Sequence, residues 1–486
     1  MQWDYAGMAD FFGGENRDRL LLDGLWGLEK EAQRITPDGS LALTPHPAVF
    51  GDKLSNPYVT TDFSESQMEL VTPPFQTVEE LHDFLIKLQT QVEAGIGTER
   101  LWPLSMPPRL PDEAAIPIAR FGNSEAGREK ETYRQGLAVR YGKKMQMISG
   151  LHYNFSFGPQ LRDELYRRFG RKGGQGEQEF LDQLYFAVAR NFMRHRWLLV
   201  YLFGASPVAD ATYNSVIRRE LKFIAGCCPE YCNILKNYHR DATSLRVSRF
   251  GYSNPIQENA PAFFDNLTAY IQNLRRLLSS QSRAYRELGI YRNGAQMQLN
   301  DHVLQKESEF YAPIRFKRNA VPGQTQLEAL AQKGVQYLEV RILDLNPFEK
   351  TGIGLGQLYF LQVFMLWCLF EASPPFSALE FDRLHKNHHA VALFGRQQGL
   401  ELADFIGGSV ELQGWGREIF VKLNRIAGLM DAAGGNRYRS AVACESAKIG
   451  QIALLPSARI QREMAAKRES FLAFGIRRAA ENQQIP

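Results

Sequence analysis

The stretch TVEELHDFLIKLQTQV at 77–92 sets Leu81, Phe84, Leu85, Leu88 and Val92 on one stripe of a helical period, behind a capping box formed by Thr77 and Glu80. The spacing predicts an amphipathic helix over 77–95. Similar periodicity predicts helices at 178–202, 258–281, 354–372 and 376–395, and 415–432 and 457–473 continue a helical C-terminal third that runs from about 354 to 486. Between them lie shorter segments with period-two patterning, around 25–35, 67–72, 145–157, 243–250 and 336–344, which read as strands. No internal repeat and no Pro- or Ser-rich linker divides the chain, so residues 1–486 read as one unit.

The strand patterns carry an unusual second face. In MQMISGLHYNFSF at 145–157, Met147, Leu151, Tyr153, Phe155 and Phe157 alternate with Gln146, His152, Asn154 and Ser156. YLEVRILDL at 337–345 puts Leu338, Val340 and Ile342 behind and Tyr337, Glu339 and Arg341 in front. Glu29, Glu31 and Gln33 share a face of GLEKEAQRI, and Glu69 follows an acidic loop carrying Asp62 and Glu65. An antiparallel sheet often has one solvated face, and for a single strand that account suffices. Solvated faces mix Lys, Thr and Glu, however, whereas these strands together gather Glu, Asp, His, Asn and Arg with few lysines. Carboxylates crowded on one surface need cations to offset their repulsion, and an oxygen-rich set with one imidazole suits magnesium or manganese better than zinc. Magnesium points in turn to phosphate chemistry.

Composition narrows the remaining classes. Apolar residues make up 44% and charged residues 23% of 486, ordinary values for a folded chain, and a formal charge of +4 is too dispersed to advertise nucleic acid. The start MQWDYAGMADFFGGENRD lacks the basic-then-apolar order of a secretory signal, and YFLQVFMLWCLF at 359–370, broken by Gln362, is shorter than the roughly 20 residues of a membrane span. A buried helix is expected there, with no membrane partner. Five cysteines, Cys227, Cys228, Cys232, Cys368 and Cys444, are sparse and odd in number, which fits a reducing cytoplasm.

Three further motifs have plain readings. The Gly-rich, basic FGRKGGQGEQ at 169–178 lacks the order of a phosphate loop and reads as a surface loop. Cys228, Cys232 and His239 lack a fourth zinc ligand at convincing spacing. HKNHH at 385–389 lacks the glutamate of an HExxH motif and reads as a solvated helix face.

The segments GLEKEAQRITPDG, TTDFSESQMELVTP, ERLWPLSMPP, FGNSEAGREKETYRQGLAVRYG with MQMISGLHYNFSF, ATSLRVSRFGYSN, ESEFYAPIRFKR and YLEVRILDLNPF span residues 27 to 348 in order. In these the chain resembles the bacterial glutamate-cysteine ligases, including the ligase half of the two-function glutathione synthases. The resemblance implies an α+β fold in which a curved antiparallel sheet forms a funnel, as in the glutamine synthetase-like carboxylate-amine ligases, surrounded by helices. It implies a single catalytic ligase domain over 1–486 and ATP-dependent joining of the glutamate γ-carboxylate to the amine of cysteine through γ-glutamyl phosphate. By the same resemblance, Glu29, Glu31, Asp62, Glu69, His152 and Glu339 match magnesium ligands, and Arg341 matches the arginine beside the transferring phosphoryl group. Arg246 matches a glutamate-binding arginine, and Tyr133, Arg134, Tyr252 and Tyr311 match acceptor-side residues. The two-function enzymes add an ATP-grasp domain that this sequence lacks, so a separate glutathione synthetase is expected in the pathway. The stretch 208–241, with three cysteines, departs from the family just before Arg246 and leaves another small amine open as acceptor; the other alternative is a non-catalytic nucleotide- or metabolite-binding sensor that kept the fold.

Overall fold

The computed structural model describes residues 3–484 apart from 15, 172–173, 228–231, 233–234, 236–237, 252–260 and 433. The period-two segments assemble into an antiparallel sheet. Its strands are β1 (Gly24–Ile35), β2 (Val59–Thr61), β3 (Gln67–Val71), β4 (Arg100–Leu101) and β5 (Leu151–Phe157), followed after a small hairpin, β6 (Tyr291–Arg292) with β7 (Ala295–Gln296), by β8 (Ile314–Lys317) and β9 (Tyr337–Leu343). The order across the sheet is β2-β3-β1-β5-β9-β8, with β4 on the end of β1. Every pairing within it is antiparallel.

One sheet face is apolar because alternate positions are. Leu28, Ala32, Met68, Leu70, Leu151, Tyr153, Phe155, Leu338 and Val340 are buried in one cluster with two long helices, Glu177–Phe203 and Leu355–Phe370. The second of these helices is the 359–370 run, buried on all sides as its composition predicts. Among the described residues no helix is long and apolar enough to cross a membrane. A smaller cluster joins Ile35, Trp102, Met147 and Leu245 to Phe471, Leu472 and Phe474 of the last helix. The expectation of an α+β fold holds. Beyond the sheet the chain is helical at Leu355–Phe370, Ala378–Phe394, Leu412–Ala432, Arg437–Gly450, Pro456–Lys467 and Phe471–Gln484, with one hairpin, β10 (Glu401–Ala403) and β11 (Ser409–Glu411).

Four expectations need correction. Only 151–157 of the predicted 145–157 strand is extended: Lys143–Gln146 is a helical turn, and the Met147 and Ile148 carbonyls accept the Gln33 and Gln67 side-chain amides at 2.9 and 3.0 Å instead of a strand partner. The segment 243–250 is a series of turns. Its serines close them locally, Ser248 Oγ donating to the Leu245 carbonyl at 2.8 Å and accepting the Phe250 N–H at 3.0 Å, the usual way serine competes with a ladder. In 258–281 the helix is Leu267–Ser279, and 258–260 lie outside the described residues. The predicted helix 457–473 is two, separated where Arg468 adopts a left-handed φ of 53°. Helix Glu125–Tyr141 escaped prediction because its sequence, EAGREKETYRQGLAVRY, carries almost no apolar stripe.

The last helix is fitted tightly to the sheet end. A Cβ on Gly475 would lie 1.9 Å from Cη2 of the fully buried Trp102 indole. Gly475→Val is therefore expected to lower stability by about 1–3 kcal/mol, the usual cost of overpacking. Urea unfolding checks this, and an unchanged midpoint would show that the helix docks without that contact.

Candidate active site

The opposite sheet face lines a cavity of about 400 Å³. Strand register explains its contents. Glu69 on β3 stands directly opposite Glu31 on β1, Glu29 stands opposite His152 on β5, and Glu339 on β9 pairs with Asn154 on one side and Arg315 of β8 on the other. Asp62 joins them from the loop before β3. Alternation thus delivers every side chain of this row to one surface.

Within the row the contacts are short. His152 Nδ1 lies 3.1 Å from Glu29 Oε2 and 3.7 Å from Glu339 Oε1, and its Nε2 lies 3.8 Å from Glu31 Oε1. One ligand atom each of Glu29, His152 and Glu339 lies within 4.8 Å of the others. Asn154 Nδ2 donates to Glu29 Oε1 at 3.0 Å, and the Gly150 N–H donates to Glu31 Oε2 at 2.9 Å. Arg341 Nη1 meets Glu339 Oε1 at 3.1 Å, and Lys317 Nζ lies 3.5 Å from Oε2.

The electrostatics divide the row. Burial, and then the charge of Asp62, push the Glu31 carboxyl up to about 8. Burial with Asp62, Glu29 and Glu31 raises Glu69 well above the usual range. Glu339 behaves oppositely: burial works against ionisation, but Lys317, Arg341, His152 and Arg315 hold it well below the ordinary carboxylate value. Burial opposes ionisation of Glu29 too, and the hydrogen bond from His152 together with nearby positive charge, Lys317 included, outweighs it. His152 is lowered by burial and by Arg341, so its ring is neutral and suited to be a ligand. This donor set fits a hard divalent cation. Burial and the neighbouring carboxylates outweigh the arginines that act on Glu31 (Arg246 and Arg341) and on Glu69 (Arg134), and Glu339 Oε2 is buried without a hydrogen bond.

Arg246 enters from the turns at 243–250. Its Nη2 donates to the Arg341 carbonyl at 2.9 Å, while Nε and Nη1 are buried without hydrogen-bond partners, Nη1 lying 3.8 Å from Oδ1 of the buried Asp344. Gly150 makes room for it, since a Cβ there would lie 2.0 Å from Nη2. Tyr133, Arg134 and Tyr311 also line the cavity, from helix Glu125–Tyr141 and the loop before β8. Arg134 is already committed to backbone, donating from Nε to the Asp62 carbonyl and from Nη1 to the Lys130 carbonyl at 3.1 Å. Tyr311 donates to Gln146 Oε1 at 3.3 Å. Tyr252 lies outside the described residues.

Apart from Tyr252, the structure brings every predicted site residue to this one cavity. Sequence reasoning missed Lys317 and Arg315, whose alternation in IRFK is the same signal that exposed Glu339 and Arg341. It misplaced HKNHH. His388 and His389 are 5% and 4% exposed and line the cavity with His385, because helix Ala378–Phe394 packs against Glu177–Phe203 instead of facing solvent. Of the weighed zinc ligands, Cys232 is buried with its thiol 3.4 Å from the Leu221 carbonyl, and Cys228 lies outside the described residues, as do 172–173 of the Gly-rich loop.

Known proteins resemble this chain over most of its length. A profile of the glutamate-cysteine ligase family matches residues 10–391. A glutamate-cysteine ligase of Clostridium acetobutylicum is 49% identical over 98% of this chain and 99% of its own length. One from Pseudomonas aeruginosa is 40% identical over 96% and 86%. Among solved structures, the glutamate-cysteine ligase of Francisella tularensis in complex with AMP superposes with a TM-score of 0.84 at 32% identity, over 95% of this chain and 88% of that one. The bifunctional glutathione synthetase of Pasteurella multocida gives 0.75 at 29% identity, over 96% of this chain and 53% of that one. With a profile match across most of its length and relatives of this identity and coverage, the chain belongs to the glutamate-cysteine ligase family.

Proposed function

We propose that this cavity is where the chain joins the γ-carboxylate of glutamate to the amine of cysteine at the expense of ATP, the whole chain acting as one catalytic unit. The observation that carries the reading is the row of carboxylates ending in Arg341, Arg315 and Lys317, beside Arg246, two of whose nitrogens are buried without a hydrogen bond. The AMP held by the Francisella relative supports an adenine nucleotide as the phosphoryl donor.

A carboxylate is a poor electrophile and must be activated. An oxygen of the glutamate γ-carboxylate attacks the γ-phosphorus of ATP, ADP leaves, and an acyl phosphate results. The cysteine amine then attacks the acyl carbon, and phosphate departs with that same oxygen. Such transfer asks the protein mainly for positioning and positive charge along the reacting oxygens. Arg341 supplies a guanidinium held in place by Glu339, and Lys317 supplies a second cation on the neighbouring strand. Glu29, Glu31, Asp62, Glu69, His152 and Glu339 would hold magnesium, or manganese in its place, which when bound offsets phosphate charge. Arg246 receives the glutamate α-carboxylate on Nε and Nη1, which make no hydrogen bond within the protein although Nη1 lies 3.8 Å from Asp344 Oδ1, and this leaves the γ-carboxylate to face ATP. Tyr133, Arg134 and Tyr311 wall the acceptor side, with Tyr252 assigned there by resemblance; Arg134 acts by fixing the Asp62 loop.

Glu339→Gln should retain the fold and lose turnover by at least ~10², because it removes the charge that orients Arg341 and Lys317. Steady-state assay with a melting curve decides it, and a rate within about threefold of wild type would remove Glu339 from the chemistry. The acyl phosphate has a stricter test. Glutamate carrying oxygen-18 in its γ-carboxylate should pass label to the released phosphate as peptide forms. Unlabelled phosphate alongside labelled peptide would rule the mechanism out.

A further inference from the structure

The HKNHH motif has no role in the chemistry above, yet it touches the element that carries Arg246. That element is held from several sides. The Thr243 and Ser244 N–H groups donate to the Ala392 carbonyl at 2.9 and 3.1 Å, and the Leu245 N–H donates to the Ser206 carbonyl at 2.7 Å. A Cβ on Gly251 would lie 1.9 Å from the Arg246 carbonyl oxygen, so the chain doubles back closely there. The contact made by His388 differs, because it reaches the residue next to Arg246 through a side chain. Its Nε2 lies 2.9 Å from the Val247 carbonyl, and its Nδ1 lies 3.2 Å from Arg196 Nε.

An arginine Nε–H can only donate, so Nδ1 is the acceptor. The ring proton is then on Nε2, where it donates to Val247. Burial, followed by the charge of Arg196, pushes this imidazole well below its ordinary range, in keeping with a neutral ring. Arg196 is itself fixed on helix Glu177–Phe203, its Nη1 lying 2.8 Å from Met193 Sδ. The result is a relay of fixed direction from one buried helix, through the imidazole on a second, to the turn bearing Arg246.

We propose that His388 is a positioning residue for glutamate: it sets the height of Val247, and so of the Arg246 guanidinium, in the cavity. The inference rests on the reading of Arg246 as the glutamate-binding arginine. His388 then acts on one substrate of three. Tilting the turn moves the α-carboxylate site while leaving the row from Glu69 to Lys317 on its own strands.

Two amides separate the halves of the relay. Glutamine places an amide near the Nε2 position and keeps the donor to Val247, whereas asparagine places one near Nδ1 and keeps only the Arg196 contact. His388→Asn and His388→Ala should each raise the glutamate KM roughly tenfold, the scale of one lost buried hydrogen bond, with ATP KM within about twofold of wild type. His388→Gln should restore the glutamate KM to within about twofold. In an Arg246→Ala background, His388→Asn should add nothing further, since two residues acting through one contact are not additive. Asparagine behaving like glutamine, ATP and glutamate KM rising together, or additivity with Arg246→Ala would each overturn the proposal. Should His388→Ala not fold, the glutamine and asparagine pair still decides. Arg246→Ala alone leaving the glutamate KM unchanged would instead remove Arg246 from the substrate site, a failure of the underlying reading that this series reports separately.

Discussion

Glu31 and Glu69 face each other across a pair of antiparallel strands, the first buried and the second half-buried. Like charges at directly opposed positions destabilise a sheet, and burial removes the water that would screen them. A sequence selected for stability alone would not keep this pair. The rest of the structure makes it tolerable: the apolar face of the same strands packs against two long buried helices, which fixes the register that holds the carboxylates together. A shift of one residue on β1 would turn Glu29 and Glu31 into that core and bring Lys30, already buried there with its amine donating to Gln89, to the cavity.

Across the sheet the charge changes sign in strand order. Glu69 and Glu31 are at the acidic end, Glu29 with neutral His152 comes next, Glu339 is compensated by Arg341, and β8 contributes Arg315 and Lys317 at the basic end. Such a gradient suits a reaction in which a polyanion must sit between cations and arginines. It also bears on why Glu29 and Glu339 ionise readily while Glu31 and Glu69 resist: for the former hydrogen bonds and cations outweigh burial, and for the latter burial with Asp62 outweighs the arginines nearby.

Much of this was legible in the chain because period two is a local signal. Glu29, Glu31, His152, Glu339 and Arg341 could be assigned to the polar faces of their strands from alternation before any pairing was known, and the fold class, implied by the family resemblance, agreed with such segments lying among helices. What alternation could not give was anything decided by distant partners. Residues 243–250 alternate acceptably, yet serines and the Ala392 carbonyl satisfy their backbone, so no strand forms. His388 looked solvent-facing because only the arrival of helix Glu177–Phe203 buries it. Helix Glu125–Tyr141 was invisible for the converse reason: few of its residues are buried, and its contribution is polar contacts such as Arg134 with Asp62.

That the carboxylate row is kept for cations at a cost to the empty fold can be measured with Glu31→Gln. The sign follows from the raised carboxyl of Glu31. An acid whose folded value lies above its unfolded one costs no stability below the unfolded value near 4.5, and the cost grows as pH rises to about 8, where it is complete. Thermal melts of wild type and Glu31→Gln at pH near 8, in chelator and in excess magnesium, therefore separate the two demands on this residue. In chelator the variant should melt higher, with the gap closing as the pH is lowered toward 4.5; magnesium should raise the wild type and leave the variant nearly unmoved. A variant that melts lower in chelator, together with equal stabilisation of both proteins by magnesium, would contradict the account.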